Sequence, residues 1–386
     1  HLNRLGCRLE IRTDLLDSDT RSFFLKNIPH SRILYSIRTV LSADELKNIP
    51  TSVQLDWAIE SGVMPEVLKN HPALYSLSSH EASFEELEKY QYACGVEKKL
   101  VLKYAPVVEN FTELYLAHLW AMKAPRQRTF LPRGNGRWRW YRLLTRGQFP
   151  LQFITEGISK QPDLPLILDW LRTPKCVTTF AAVVGNPVEH SLSPATHWEF
   201  SPFFAIQVGQ SEKAEAYDVL EKLGLRYAAV TSPLKDQDGA NTLVFKNGIT
   251  EKTNTDLAGL QAAISALGNL DFSKTVVWGG GGTLPTMRKA LPTAQFYSVR
   301  SGVNRDDPAQ VPASIFPDCL IWAVPNSRHT HWPHDCWRPR IVFDLSYAES
   351  SLGREYALRC GAKYVSGLTM FAEQAKQQQL FWKKHG

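Results

Sequence analysis

The chain has 386 residues, of which 44% are hydrophobic and 21% are charged, and its formal net charge at pH 7 is +6. This length predicts two or three domains with sizeable cores. The modest positive charge suits anionic small molecules and does not require nucleic acid as a partner. Six scattered cysteines without a Cys-x-x-Cys motif favour reduced thiols in a cytoplasmic setting, and neither a membrane-spanning run nor a signal peptide is predicted.

The first half of the chain alternates short apolar strands with helical stretches. Seven strands are predicted, at residues 7–12, 32–38, 52–58, 73–79, 100–105, 128–133 and 150–155. Such alternation indicates βαβ units and a parallel sheet. Seven units are one fewer than a (β/α)8 barrel contains.

Polar side chains lie at or near the carboxyl ends of these predicted strands: Glu10, Arg12, Arg38, His80 and Lys103. Barrel enzymes place their chemistry at this rim. A lysine among apolar neighbours favours the neutral amine, which can attack a carbonyl to form a Schiff base. His80 can then move protons near neutral pH. The alternative for Lys103 is a side chain whose stem packs while its head reaches water.

This set resembles the motifs of the type I 3-dehydroquinate dehydratases. The family's E-x-R-x-D motif corresponds to Glu10, Arg12 and Asp14, and its I-R-[ST] motif corresponds to Ile37, Arg38 and Thr39. Its histidine after a Ser-rich strand corresponds to His80, and its K-x-A motif corresponds to Lys103 and Ala105. The resemblance implies a (β/α)8-type barrel over residues 1–172 that lacks its first strand. It further implies that Lys103 forms the imine, that His80 removes the adjacent proton, and that Glu10, Arg12 and Arg38 bind substrate.

The segment 132–139 stands where that family has M-G-x-x-G-x-x-S-R, so the resemblance assigns substrate binding to Arg139 as well. The family's acidic-Gly-Gly segment and its S-A-P-G-Q segment have no clear counterpart here. The stretch 133–146 interleaves arginines with aromatic residues, a pattern that can bind single-stranded nucleic acid. The favoured interpretation is a loop and helix whose rings pack inward.

The second half opens on a strand, 180–184, which is followed by a polar turn containing Ser191 and Ser193. Pro194 can begin the next helix. Further along, Thr231, Lys235, Asn241 and Asp256 also follow predicted strand ends. A Lys–Asp pair can hold a substrate hydroxyl and move its proton during hydride transfer. The alternative is a surface ion pair of little energetic value.

A glycine-rich turn follows the strand that begins at Thr275, and it contains Gly279, Gly281, Gly282 and Thr283. Glycines there let backbone N–H groups approach a pyrophosphate. The next predicted strand, 295–299, is followed by Arg300 and Ser301, which suit the 2′-phosphate of NADP.

These segments resemble the shikimate dehydrogenases. The family motifs G-N-P-x-x-H-S-x-S-P-x-x-H, V-T-x-P-x-K, G-A-V-N-T, N-T-D and G-x-x-M-x-x-x-Q-A correspond to residues 185–197, 230–235, 239–242, 254–256 and 367–375, and D-x-x-Y corresponds to Asp344 and Tyr347. The loop after Lys235 is shorter than in that family.

The resemblance implies the following roles. Lys235 and Asp256 are catalytic; Ser191, Ser193, Thr231, Asn241, Tyr347 and Gln374 bind shikimate; the glycine turn, Arg300, Ser301 and Gly367 bind NADP. It implies a catalytic lobe of residues 173–257 and 367–386 and a Rossmann NADP-binding lobe of residues 258–366.

Three functions are therefore considered. The first is a bifunctional enzyme of the shikimate pathway, which dehydrates 3-dehydroquinate and then reduces 3-dehydroshikimate with NADPH. The second is a shikimate dehydrogenase with an inactive barrel. The third is a binding protein that senses quinate or shikimate. A loop with His329, His331, His334 and Cys336 has zinc-like spacing, but an irregular surface loop is favoured and no metal is predicted.

Overall fold

The computed structural model describes residues 7–95, 100–157, 161–236, 239–246, 248–308, 316–324, 331–347 and 350–386. The chain forms two compact units. The first comprises His1–Thr178 and Ala214–Leu223, and the second comprises Thr179–Lys213 and Gly224–Gly386. No helix within the described ranges is long and apolar enough to cross a bilayer.

The first unit is built on a parallel sheet of six strands that lie in chain order. The strands are β1 (Leu9–Arg12), β2 (Ile33–Ile37), β3 (Gln54–Ala58), β4 (Leu74–Ser79), β5 (Val101–Tyr104) and β6 (Arg128–Phe130). All five residues of β2 are buried, as is usual for a central parallel strand. Because the strands run in one direction, their carboxyl ends share one edge.

Within the described residues of this unit, seven α-helices follow or separate these strands. They are α1 (Ser18–Asn27), α2 (Ala43–Lys47), α3 (Glu66–Lys69), α4 (Phe84–Ala93), α5 (Phe111–Met122), α6 (Arg139–Leu144) and α7 (Ile167–Arg172). Helices α2 and α4 begin with capping boxes, at Ser42 with Glu45 and at Ser83 with Glu86, which satisfy backbone donors of the first turn.

Six of the seven predicted strands of this unit are confirmed, with shorter bounds, and the seventh, at 150–155, is wrong. Pro150 has no backbone donor, and the Leu151 N–H donates to the hydroxyl of Thr129 at 3.2 Å rather than to a strand carbonyl. Thr155 makes only an isolated bridge with Leu166. Within the described residues β1 and β6 are outer strands, so the closed barrel stays a prediction.

The aromatic residues of the basic stretch 133–146 pack inward, as favoured. Trp138 and Tyr141 are fully buried, and Trp140 is 3% exposed. The Trp138 indole N–H donates to the Val108 carbonyl at 2.8 Å. These rings are therefore not available to stack on bases.

The second unit contains two sheets. The first has the order β11-β10-β9-β7-β8, in which β7, β8 and β9 are parallel and β10 and β11 are antiparallel to their neighbours. Its elements are β7 (Phe180–Gly185), α8 (Ser193–His197), β8 (Phe203–Gln207), α9 (Lys213–Lys222), β9 (Leu225–Val230), β10 (Thr242–Lys246), β11 (Ile249–Thr253) and α10 (Asp256–Ala266). Pro194 stands in the first turn of α8, as predicted.

The second sheet is entirely parallel, with the order β13-β12-β14-β15-β16. Its elements are β12 (Thr275–Gly279), α11 (Leu284–Ala290), β13 (Gln295–Tyr297), β14 (Cys319–Ala323), β15 (Ile341–Asp344), α12 (Leu352–Cys360), β16 (Lys363–Ser366) and α13 (Leu368–His385). This is a Rossmann-like arrangement, whose order reverses beside β12, where such sheets bind ligands.

Helix α13 ties the chain's end to the first sheet of this unit. Trp382 is fully buried with Val183 and Phe203, and its indole N–H donates to the Leu243 carbonyl at 3.1 Å. The predicted return of this tail helix is confirmed.

Candidate active sites

Lys103 lies at the carboxyl edge of the first unit's sheet and forms a buried ion pair that the sequence did not predict. Its Nζ donates to Oδ2 of Asp56 on β3 at 2.5 Å, and the two side chains are 1% and 0% exposed. Asp56 also accepts hydrogen bonds from the hydroxyls of Ser36, Ser76 and Ser78. Burial alone would raise the pKa of Asp56, but the charges of Lys103 and Arg38 lower it to about 2.

His80 lies at the same edge beside Glu60, another residue that the sequence reading missed. Its Nδ1 is 3.6 Å from Glu60 Oε2, and its backbone N–H donates to Glu60 Oε1 at 2.5 Å. Its Nε2 contacts a guanidinium nitrogen of Arg38. Burial lowers the pKa of His80, and nearby Arg38 and Lys103 lower it further, whereas the hydrogen bond to Glu60 opposes the change. Glu60 therefore orients the imidazole.

A cavity of about 970 Å³ opens over these residues. Its lining includes five of the predicted residues: Glu10, Arg12, Arg38, His80 and Lys103. Glu10 accepts from Ser36 Oγ at 2.8 Å and from Arg38 at 3.3 Å, while Arg12 pairs with Asp14 at 2.5 Å. Five residues that the sequence predicts for one site therefore share one cavity.

Arg139 is placed differently. Its guanidinium donates to the Pro162 carbonyl, and it is not part of the cavity's described lining. Arg133 and Arg142 line the cavity instead, and Arg133 donates to the His80 carbonyl at 2.7 Å. Burial lowers the pKa of Arg142 to about 10. The role predicted for Arg139 stays a prediction.

Lys235 and Asp256 meet in the second unit, as their sequence motifs predict. Lys235 Nζ donates to Asp256 Oδ2 at 2.5 Å, and the side chains are 26% and 8% exposed. Asn241 donates to the other oxygen, Oδ1, at 2.7 Å. The side-chain oxygen of Asn241, Oδ1, accepts from the backbone N–H of Thr255 at 2.9 Å and from the hydroxyls of Thr242 and Thr255. Both carboxylate oxygens of Asp256 are therefore fixed, and Lys235 alone reaches toward solvent.

The polar loop that follows β7 lies near Tyr347. The backbone N–H of Ser193 donates to Ser191 Oγ at 3.3 Å, and Ser193 is buried. Burial raises the pKa of Tyr347, and a hydrogen bond with the backbone of Leu192 opposes that rise. Thr231 follows β9, and its backbone N–H donates to the Val184 carbonyl at 3.0 Å. Ser191, Ser193 and Tyr347 thus share one region.

Gln374 lies on α13 where this helix passes close to α10. A Cβ on Gly259 would lie 3.0 Å from the Gln374 Cβ, so glycine permits the close approach one turn after Asp256. A role for Gln378, one turn further along α13, was not predicted from the sequence. Its Oε1 lies 3.1 Å from His197 Nε2. Burial lowers the pKa of His197 to about 4, although this hydrogen bond opposes the change.

The glycine turn after β12 contains three consecutive residues in the left-handed region of backbone conformation. Gly279, Gly280 and Gly281 have φ angles of 102°, 110° and 40°. A Cβ on Gly279 would lie 2.6 Å from the Ala323 carbonyl oxygen. Gly282 lies in the following turn, Gly281–Thr283, and the hydroxyl of Thr283 donates to the Gly280 carbonyl at 2.8 Å. A residue with a side chain at Gly279 would clash with the neighbouring backbone in this turn.

Arg300 and Ser301 are exposed in the turn after β13. The sequence reading missed Arg305, which lies beyond this turn and whose guanidinium donates to the Gly279 carbonyl at 3.4 Å. A Cβ on Gly367 would lie 2.5 Å from the Leu345 carbonyl oxygen, so this position before α13 also requires glycine. The basic and glycine residues predicted for NADP therefore lie around one sheet.

No grouping of three His, Cys, Asp or Glu side chains suits a metal ion in the described part of the chain. His331, His334 and Cys336 belong to that part, whereas His329 lies outside it.

No protein-family model matches the chain. A curated relative is the shikimate dehydrogenase (NADP(+)) of Acinetobacter baumannii, 32% identical over 124 residues, which are 26% of this chain and 47% of the relative. Two other shikimate dehydrogenases (NADP(+)), from Xanthomonas euvesicatoria and Methylobacillus flagellatus, are each 27% identical to this chain. Each alignment spans 53% of this chain, and it spans 90% of the Xanthomonas protein and 93% of the Methylobacillus protein. The chain is thus similar in sequence to proteins named as NADP(+)-dependent shikimate dehydrogenases. It spans about half the length of the Acinetobacter relative.

Similar solved structures include the shikimate dehydrogenase of Aquifex aeolicus, which is 22% identical to this chain and superposes with a TM-score of 0.45. The match spans 54% of this chain and 93% of the Aquifex chain. A dehydroquinate dehydratase and shikimate dehydrogenase from S. pombe is 17% identical with a TM-score of 0.40, and covers 98% of this chain and 91% of its own.

Proposed function

We propose that the second unit is an NADP-dependent shikimate dehydrogenase that reduces 3-dehydroshikimate to shikimate. The observation that carries this proposal is the Lys235–Asp256 pair, with a 2.5 Å Nζ–Oδ2 distance and with Asn241 on the second carboxylate oxygen. Curated relatives named as NADP(+)-dependent shikimate dehydrogenases support it. Residues 173–257 and 367–386 then form the catalytic lobe, and 258–366 form the cofactor lobe.

NADPH, when bound, supplies the hydride that reduces the substrate's ketone carbon. Lys235 donates a proton to the ketone oxygen as that oxygen gains charge, and Asp256 orients the resulting hydroxyl. Asn241 prevents rotation of the Asp256 carboxylate through its 2.7 Å hydrogen bond. Such fixed positioning matters because displacements of about 1 Å are costly to catalysis.

The remaining predicted residues hold the two ligands. Ser191, Ser193, Thr231, Tyr347 and Gln374 supply hydroxyl and amide groups for the polyhydroxylated ring and its carboxylate. The glycine turn holds the pyrophosphate, and Arg300, Ser301 and Gly367 hold the 2′-phosphate and the nicotinamide end. An arginine fork suits a phosphate monoester because it donates two parallel hydrogen bonds.

The test is oxidation of NADPH, followed by absorbance, when 3-dehydroshikimate is added to the full chain. We expect turnover that saturates with substrate and requires Lys235. A flat trace would exclude the dehydrogenase, and saturable shikimate binding without turnover would instead identify a ligand-sensing protein.

For the first unit we propose dehydration of 3-dehydroquinate through an imine on Lys103. The supporting observation is that Lys103, His80 and Arg38 line one cavity of about 970 Å³. The Lys103 amine adds to the substrate ketone and water leaves. His80 then removes the proton next to the imine and delivers it to the ring hydroxyl, which leaves as water. Hydrolysis of the imine returns the free lysine.

The ion pair with Asp56 bears on this reaction, since an ammonium paired with a carboxylate has no lone pair for attack. Lys103 must therefore lose a proton before it reacts, and His80 is the base at the same edge. Borohydride reduction in the presence of 3-dehydroquinate tests the proposal. We expect covalent label on Lys103 and none in Lys103→Met; an unlabelled wild-type lysine would show that no imine forms.

A further inference from the structure

The imine proposed for Lys103 needs a neutral amine, but the structure holds this lysine in a buried ion pair. Its Nζ donates to Asp56 Oδ2 at 2.5 Å, and the Asp56 side chain is 0% exposed, so this carboxylate cannot pass a proton directly to water. His80 lies at the same edge, but its ring nitrogens face Arg38 and Glu60 rather than Lys103. The proton on Lys103 therefore needs a path through other protein groups.

A row of polar side chains crosses the sheet at the level of Asp56. The strand register places Ser36 of β2 and Ser76 of β4 beside Asp56 of β3, and all three residues are fully buried. Ser36 Oγ lies 3.2 Å from Asp56 Oδ2, the oxygen that also holds Lys103. Ser76 instead donates to the other oxygen, Oδ1, at 2.6 Å. Of these two serines, only Ser36 contacts the oxygen that pairs with the lysine.

Ser36 also connects Asp56 with the cavity. Its Oγ donates to Glu10 Oε1 at 2.8 Å, the shorter of its two carboxylate contacts. A hydroxyl has one donor and two acceptor lone pairs, so Ser36 can accept from Asp56 while it donates to Glu10. The Glu10 side chain is 21% exposed and lines the cavity of about 970 Å³. Ser78 reaches Asp56 Oδ2 at 3.1 Å, but its other contact is the Trp57 carbonyl, which is not a proton acceptor of this kind.

We propose that Asp56, Ser36 and Glu10 form the path by which Lys103 loses the proton that prevents imine formation. The proton moves from Lys103 Nζ to Asp56 Oδ2 and on to Ser36 Oγ, while the proton already on Ser36 moves to Glu10 Oε1. In total one N–H bond breaks and one O–H bond forms. The ammonium becomes an amine, the Glu10 carboxylate becomes a carboxylic acid, and Asp56 stays ionised. This inference rests on the imine proposed for the first unit.

The serines around Asp56 suit the arrangement that follows the transfer. Once the proton has passed, the Ser36 hydroxyl points at Asp56, so that Ser36, Ser76 and Ser78 all donate to this carboxylate. Hydrogen bonds to a charged acceptor are strong, and a buried network strengthens them further. They stabilise the buried carboxylate while its lysine partner is neutral.

The low pKa of Asp56 does not block this path. Burial raises its pKa, and the charges of Lys103 and Arg38 then lower it to about 2. The share of that lowering that comes from Lys103 disappears when the lysine becomes neutral, because the attraction needs the ammonium. Asp56 therefore passes the proton on and does not keep it.

The test measures how fast the imine forms in the full chain. The protein is mixed with 3-dehydroquinate, and borohydride is added at timed intervals to reduce the imine to a stable label on Lys103. Ser36→Ala removes the link to Glu10 and should slow labelling by about 10²-fold, the low end of the range for a positioned proton-transfer group. The substrate concentration that gives half the maximal rate should not change, because Ser36 is not among the described residues that line the cavity.

The matched control is Ser76→Ala. It removes one hydroxyl donor from Asp56, as Ser36→Ala does, but Ser76 has no contact with Glu10. Labelling should therefore slow far less in this variant. Ser36→Thr keeps the hydroxyl and should restore most of the wild-type rate. Label that forms equally fast in the two alanine variants would overturn the path alone, whereas no label in the wild type at any time would overturn the path and the imine together.

The wild type decides if Ser36→Ala does not fold. Its labelling rate is then measured in mixtures of H2O and D2O. Several protons move together along the proposed path, so the rate should fall along a curve as the deuterium fraction rises. A straight line would show that a single proton moves, and would overturn the path.

Discussion

Each candidate site is centred on a lysine–aspartate pair with an Nζ–Oδ2 distance of 2.5 Å, but solvent reaches the two pairs differently. Lys103 and Asp56 are 1% and 0% exposed, whereas Lys235 and Asp256 are 26% and 8% exposed. A buried pair must recover the large cost of removing two charges from water, so losing one partner is costly. A partly exposed pair can exchange its proton with a ligand at little cost to folding.

The hydrogen-bond partners differ in the same sense. Asp56 is held by three serine hydroxyls in addition to Lys103, which favours a static ionic network. Asp256 is held by Asn241 on one oxygen only, and its other oxygen is shared with Lys235. We therefore expect mutations in the first pair to affect stability most and mutations in the second pair to affect catalysis most.

The largest expected effect is on the reductase. Lys235→Met should lower kcat/KM for 3-dehydroshikimate by about 10²–10⁴-fold, the usual contribution of a positioned acid or base. The free energy of unfolding should fall less than in a variant of the buried pair, because Lys235 is 26% exposed and Asn241 still donates to Asp256. Steady-state kinetics and urea denaturation measure the two quantities.

The matched control is Lys252→Met, which removes a lysine paired with Asp236 at 2.6 Å and 49% exposed. It should leave kcat/KM within about twofold, because this surface pair is of little energetic value. Full reductase activity in Lys235→Met would remove the lysine from the mechanism.

The buried pair should show the opposite pattern. Asp56→Asn leaves the Lys103 ammonium buried without its counter-charge, and should lower the free energy of unfolding by about 3–5 kcal/mol. The double variant Asp56→Asn, Lys103→Met should recover most of that loss because no unpaired charge remains. Urea denaturation followed by circular dichroism measures both. A single variant as stable as the wild type would show that the pair is not structural.

Acid should act on this pair in a defined range. The folded pKa of Asp56 is about 2, below its usual 3.8, so its contribution to stability is complete above about pH 4 and is lost as the pH falls through 2. Asp56→Asn should abolish that part of the pH dependence.

A neutral buried histidine should also make the second unit less stable as the pH falls. The folded pKa of His197 is about 4 against a usual 6.5, so only the unfolded chain takes up a proton between these values. The free energy of unfolding should therefore fall by something on the order of 3 kcal/mol as the pH drops from 6.5 to 4. Titration of the imidazole by NMR checks the cause directly. A midpoint near 6.5 in the folded protein would contradict it.

Sequence motifs predicted the second pair but not the first. Lys235, Asn241 and Asp256 occur in short segments whose residue order itself resembles a known site. Asp56 lies within a buried strand, and its partner is supplied by the pairing of β3, β4 and β5, which places Ser78 beside Lys103. One feature of the sequence could have indicated the pair, namely a carboxylate inside a predicted buried strand. A buried charge of this kind is almost never left without a partner of opposite charge.

Glu60, Gln378 and Arg305 were missed for a related reason. Each acts on a residue far away in the chain: His80, His197 and the Gly279 carbonyl, respectively. Their identities are ordinary for exposed turns and helices, so only the tertiary structure distinguishes them. The strand predicted at 150–155 is wrong for a different reason. Its sequence is typical of a strand, but the backbone N–H of Leu151 donates to the side-chain hydroxyl of Thr129 instead of to a carbonyl of a neighbouring strand.

The smallest expected effect concerns His80, for which we propose proton transfer beside the buried pair. Its hydrogen bond with Glu60 raises its pKa, against the lowering caused by burial and by the charges of Arg38 and Lys103. Glu60→Gln removes the carboxylate but keeps a hydrogen-bonding side chain, so the pKa of His80 should fall further below its usual 6.5. NMR titration of the imidazole measures the change. In the same experiment Glu81→Gln, an exposed neighbour in the chain, should leave His80 as in the wild type. A His80 titration that moves upward, or moves equally in both variants, would show that Glu60 does not raise the pKa of this imidazole.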